Sequence, residues 1–133
     1  MTGLMKAGDR WVLPVAGQTV AQLCVDYAVT LRQNDVVVRI EQPFVIATPT
    51  GEERLVVPEG DLDRLAPVLN LGRSTVTEGA AFDDGHLELS FADGTRVSVP
   101  STEDYEPWEI VGPEGLRIVS VPGGELSIWH PGA

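Results

Sequence analysis

Two turns rich in glycine and proline cut the stretch from Tyr105 to Trp129 into three short pieces. The first turn is Gly112-Pro113-Glu114-Gly115 and the second is Pro122-Gly123-Gly124. Between them lie Trp108-Glu109-Ile110, Leu116 to Val121, and Glu125-Leu126-Ser127-Ile128-Trp129. Proline followed by glycine suits a type II turn, in which the third residue needs positive φ. Closely spaced turns between apolar runs specify strands folding back on each other.

The same grammar runs through most of the chain. Leu87, Leu89 and Phe91 alternate with His86, Glu88 and Ser90, the period of a half-buried strand. Asp93-Gly94 predicts a tight type I′ hairpin turn, and Val97 and Val99 alternate on the return. Earlier strands are expected at Trp11 to Leu13, Val20 to Val25, Ala28 to Arg32, Val36 to Ile40, Phe44 to Ala47 and Arg54 to Val57. Asn34-Asp35 is expected to turn the chain tightly, and Thr48-Pro49-Thr50-Gly51 fits a type I turn. Residues 1–10 read as a loose lead-in.

One segment departs from this pattern. Leu62, Leu65, Val68 and Leu69 recur at helical spacing, which predicts an amphipathic helix over 61–70. Asp61 is placed to cap it, Pro67 to shorten or kink it and Gly72 to stop it. The fold class is therefore mainly β and antiparallel. About ten strands are expected, in a sandwich or partly closed barrel, with one helix near 61–70. The expected core holds Leu31, Phe44, Ile46, Leu87, Leu89, Phe91, Trp108, Ile110, Ile118 and Ile128.

The sequence also repeats. Pro43 to Pro58 shifted by 64 positions lies without gaps on Pro107 to Pro122, aligning three prolines, Ile46 with Ile110, and Phe44 with Trp108. A shift of 58 places Val29, Leu31 and Asp35 on Leu87, Leu89 and Asp93. One domain, 1–133, is predicted to contain a first repeat at about 17–58 and a second at about 72–129. The helix would join them across an approximate two-fold axis.

The run from Leu87 to Gly94, Tyr105-Glu106-Pro107-Trp108-Glu109, and Pro122-Gly123-Gly124-Glu125-Leu126-Ser127-Ile128-Trp129 resembles one family. It is a group of small acidic, mostly actinobacterial proteins carried as a domain of unknown function. The resemblance covers most of the chain, including Asp26-Tyr27-Ala28-Val29 and Glu41-Gln42-Pro43-Phe44. It implies a bacterial cytoplasmic setting. It brings no activity, cofactor or site residue. Some small proteins of this kind look like immunity partners of secreted toxins, which is an analogy only.

Charge narrows the classes of partner. Nine Lys/Arg against twenty Asp/Glu give a net charge of −11. Residues 1–60 carry five bases and seven acids; residues 61–133 carry four and thirteen. Such a field repels nucleic acid and anionic membranes and favours a basic protein. No basic segment leads into an apolar run at the start, and no stretch is apolar enough to span a bilayer, so neither a signal peptide nor a membrane anchor is expected. Cys24 alone excludes an internal disulfide, which fits a reducing cytoplasm.

No catalytic constellation is legible. Asp83, Asp84, His86 and Glu88 are close in sequence but read as a turn and the wet side of a strand. Cys24 reads as an inert strand residue and His130 as part of the tail. Neither a metal nor a cofactor is expected. The candidate surface is Glu103, Asp104, Tyr105, Glu106 and Glu109, four carboxylates beside an aromatic ring, suited to docking Arg or Lys. Trp108 is assigned to the core instead. The sequence thus predicts a cytoplasmic interaction module for a basic protein, not an enzyme. The alternative is a small-ligand binder or enzyme using a pocket between the repeats. Nothing in the sequence indicates homo-oligomers.

Overall fold

Each strand must bury one apolar face, and the chain solves this with two antiparallel sheets over a shared core. The computed structural model describes residues 4–129. Strands β1 Met5–Ala7 and β2 Arg10–Val12 come first, then β3 Gln22–Val25, β4 Val29–Arg32 and β5 Val37–Ile40. The hairpin β6 Phe44–Ala47 and β7 Glu53–Val56 follows. A 3-10 turn at Leu62–Leu65 runs into the short helix α1 Ala66–Leu69. The second half supplies β8 Val76–Phe82, β9 Leu87–Phe91, β10 Arg96–Val99, β11 Trp108–Val111, β12 Arg117–Ser120 and β13 Leu126–Trp129. One sheet has the order β1-β2-β8-β9-β10-β6-β7 and the other β13-β12-β11-β5-β4-β3. The architecture is an open sandwich rather than a closed barrel.

The sheets exchange hairpins. Strands β3-β4-β5 form a meander, and the chain then crosses to place β6-β7 in the opposite sheet. Strands β8-β9-β10 do the same and place β11-β12 back in the first. Val38 faces Ile110 where β5 meets β11, and Val97 faces Ile46 where β10 meets β6. Ile46 and Ile110 are matched by the shift of 64, but Val97 lies one position beyond the residue that the shift of 58 matches to Val38, so the halves share strand order at the exchange with the register offset by one.

Buried side chains alternate along the inner strands as a period of two requires. Nine of the ten expected core residues are buried; Ile128 is half-buried, because β13 is a sheet edge with no strand beyond it. Residues 4–10 are not loose: β1 and β2 form a hairpin that pairs with β8, Arg10 opposite Phe82. The sequence reading missed β8 itself. Its Val-Thr-Glu-Gly-Ala-Ala-Phe run lacks alternation, and Gly79 is required because Leu13 and Val15 cross it. A Cβ there would stand 2.7 Å from Val15 Cγ2.

The helix is shorter than its stripe. Leu65 and Val68 are buried, while Leu62 and Leu69 are exposed. Asp61 occupies the cap position but its carboxylate makes no capping bond; the Arg64 N–H instead closes onto the Asp61 carbonyl at 3.0 Å. Pro67 is the second residue of α1, in its first turn, and the left-handed stop falls on Arg73 (φ +66°), one residue after Gly72.

Two turns refine the expectation. At Asp93-Gly94 only Gly94 has positive φ, so the turn is not type I′. The Gly94 N–H reaches the Phe91 carbonyl and the Phe91 N–H reaches Thr95, a three-residue loop ending in left-handed glycine. At 122–124 the Gly124 N–H closes onto Val121, with Gly123 at φ +94°, as a type II turn after Pro122 demands. In the loop 112–115, Glu114 holds φ +60° and ψ +29°. A left-handed non-glycine costs about 1–2 kcal/mol, part of which glycine returns in unfolded-state entropy. Glu114→Gly is therefore expected to raise stability by about 0.5–1 kcal/mol in urea denaturation. A loss of stability would show that the Glu114 side chain holds the loop.

Candidate functional site: an acidic pole

Antiparallel registers bring seven connections to one end of the sandwich. They are residues 8–9, 26–28, 41–43, 57–60, 83–86, 100–107 and 121–125. Their carboxylates are Asp9, Asp26, Glu41, Glu59, Asp83, Asp84, Glu103, Asp104, Glu106 and Glu125, ten in all, and no lysine or arginine lies in any of them. Both tyrosines of the protein, Tyr27 and Tyr105, stand here too, 79% and 43% exposed.

The connections touch each other. The Glu41 N–H donates to the Pro107 carbonyl at 2.8 Å, and the Gly123 N–H to Thr102 at 2.9 Å. The Gln42 amide donates to the Pro100 carbonyl, joining the two chain crossings. Deepest of all, the Gly85 carbonyl accepts both the Trp108 indole N–H and the Ser120 hydroxyl, each at 2.9 Å. Trp108 and Ser120 belong to the six-stranded sheet and Gly85 to a turn of the other, so this buried node ties the sheets together below the pole.

Of the sequence-predicted surface, Glu103, Asp104, Tyr105 and Glu106 sit together, exposed, in the connection 100–107. None of those three acids has an ion-pair partner among the described residues, and neither does Glu59. Glu109 is placed apart, on β11 and on the outer face of its sheet, paired with the Arg117 guanidinium. Trp108 is 1% exposed and belongs to the core. Sequence reasoning missed Asp9, Asp26, Glu41 and Glu59, which come from the nearly neutral first half. The pairing of strands across both sheets gathers them, and no local signal in the sequence does.

A groove of about 440 Å³ runs beside Tyr105, lined also by Glu41, Gln42, Pro43, Val57, Pro58 and Glu59. At another edge of the pole, His86 stacks on Phe82 with ring centroids 3.9 Å apart. Its Nδ1 lies 2.5 Å from Asp84 and its Nε2 3.2 Å from Glu88. Partial burial pushes the Asp84 carboxyl up, but the backbone N–H and ring of His86 outweigh it and hold it below its ordinary value. Both ring nitrogens are thus occupied by carboxylates. Among the described residues, no group of three or more His, Cys, Asp or Glu has the arrangement of a metal site. His130 lies outside the described residues. Cys24 is half-buried rather than enclosed, lining a depression on the outer face of the six-stranded sheet with Arg32 and Arg39.

A family model, a family of unknown function designated DUF6188, matches residues 11–130. The chain belongs to this family. No curated protein and no solved structure matches it. The family match takes in every strand from β3 to β13 and six of the seven pole connections whole. No described helix is long and apolar enough to cross a membrane.

Proposed function

We propose that this DUF6188 protein is an interaction module whose acidic pole docks a basic protein partner. The observation that carries the reading is the segregation of charge: ten carboxylates and no Lys or Arg on seven adjoining connections. A one-sign surface raises encounter rates by about 10- to 1,000-fold and is screened within about 8 Å at physiological salt. An immunity-like role, neutralising a basic toxin, is one form of this reading. The single free cysteine supports a cytoplasmic setting. The halves are taken as copies of one ancestral unit, supported by their shared strand order at the exchange.

Capture from native lysate, with mass spectrometric identification, supplies the partner. Reversing Glu103, Asp104 and Glu106 to Lys should slow its association about tenfold or more while leaving the urea midpoint nearly unchanged. An unaltered on-rate and salt dependence would leave the pole as solvated surface only.

A second reading, a small-ligand site between the halves, is favoured by one groove of about 640 Å³. Ile46, Pro49 and Arg54 line it from the first half, Pro67 and Leu69 from the helix, and Asp93 and Thr95 from the second half. Its charged groups are already engaged. Arg54 pairs with Glu52, and the Thr95 backbone N–H holds the Asp93 carboxyl below its ordinary value. The acidic pole ranks first: Asp9, Glu41, Asp83 and Asp84 are paired with Arg10, Arg39, Lys6 and His86, but the other six of its carboxylates have no ion-pair partner among the described residues.

A further inference from the structure

We infer that the groove beside Tyr105 is the specificity pocket of the pole, and that it takes an arginine side chain of the partner. This rests on the reading of the pole as a docking surface, and adds which side chain is recognised there. The apolar part of its lining is Pro43, Val57 and Pro58, with the aromatic Tyr105 beside them. Glu41 and Glu59 line it as well; Glu41 is paired with Arg39 at 3.3 Å, and Glu59, which has no ion-pair partner among the described residues, is the carboxylate left for the guanidinium.

The walls are also pre-formed. Gln42 is 6% exposed and ties its crossing to Pro100, and the Gly60 N–H closes the 57–60 turn onto Val57 at 2.9 Å. Little ordering is left to do on binding. An arginine guanidinium is planar, weakly hydrated and able to stack on an aromatic ring while its edge meets a carboxylate. A lysine ammonium is compact and strongly hydrated, and gains less from flat apolar walls. Charge complementarity makes the occupant cationic, and the aromatic Tyr105 in the lining makes it arginine.

Two blocked peptides of equal charge test this: three lysines around a central arginine, and the all-lysine counterpart. Titrations of the full chain followed by nuclear magnetic resonance should show the arginine peptide binding about fivefold more tightly. Its shifts should centre on the Tyr105 ring. Tyr105→Ala and Glu59→Gln should each abolish that preference, and Tyr27→Ala should preserve it. Equal binding of both peptides, weakened alike by salt and by the triple reversal at Glu103, Asp104 and Glu106, would overturn the pocket and leave the pole intact. Binding of neither peptide at low salt would overturn both. A dimer in sedimentation equilibrium that Tyr105→Ala dissociates would make a second copy the occupant, and overturn the inference.

Discussion

Trp108→Ala is expected to lower the unfolding free energy by about 3–5 kcal/mol. The indole is 1% exposed and is the largest fully buried side chain of the core. Its removal leaves a cavity between the sheets, because neighbouring strands are held by their ladders and relax only partly. It also removes the N–H donated to Gly85 across the sandwich, though Ser120 still satisfies that carbonyl. Trp108→Phe separates the two contributions. It keeps most of the volume and should cost far less, about 1–2 kcal/mol for the lost bond and residual space. Urea denaturation followed by far-ultraviolet circular dichroism measures both. A loss under about 1 kcal/mol for Trp108→Ala would mean that the core does not depend on this ring.

Gly85→Ala is expected to be comparably damaging, at about 3–5 kcal/mol, for a different reason. Gly85 has φ +93°, and a Cβ there would stand 2.4 Å from the Gly124 carbonyl oxygen and 2.6 Å from its Cα. Both obstacles are backbone, so no rotamer change can relieve them. The two turns would have to part, stretching the bonds from Trp108 and Ser120 to Gly85. Gly123→Ala is the matched control. Its φ is +94°, but nothing lies within 4 Å of the added methyl. It should pay only the conformational cost of about 1–2 kcal/mol. Equal losses for the two would show that the turns do not press on each other. The same substitution tests the pole, since the turn 83–86 carries Asp83 and Asp84.

Local pattern made most of the strands legible from sequence. Alternation at Leu87 to Phe91, β-branched runs at 36–40 and proline-glycine turns are each sufficient within a few residues. The helix at 61–70 was legible in place but not in length. Its stripe counted Leu62 and Leu69 as core, yet the sheet behind it offers room for only Leu65 and Val68. Strand β8 was invisible, because Gly79 and its neighbouring alanines answer to a segment crossing from residues 13–15 rather than to any local preference. Tyr105 and the acids at 103–106 were legible as one candidate surface because they are contiguous. The rest of the pole was not, because its carboxylates are scattered singly at turns from Asp9 to Glu125.

The sequence by itself determined the strand-turn alphabet, the core face of most strands and the likeness between the halves. The first two are written in neighbours two to four residues apart, and the third in residues matched at shifts of 58 and 64. Only the tertiary structure decided that hairpins are exchanged between sheets, that Trp108 of one sheet reaches Gly85 of the other, and that seven connections share one end. Those depend on pairings between residues as distant as Glu41 and Pro107. Period-two patterning fixes which side of a strand is buried, but carries no record of which strand lies next to it. That choice is made by packing the whole core at once.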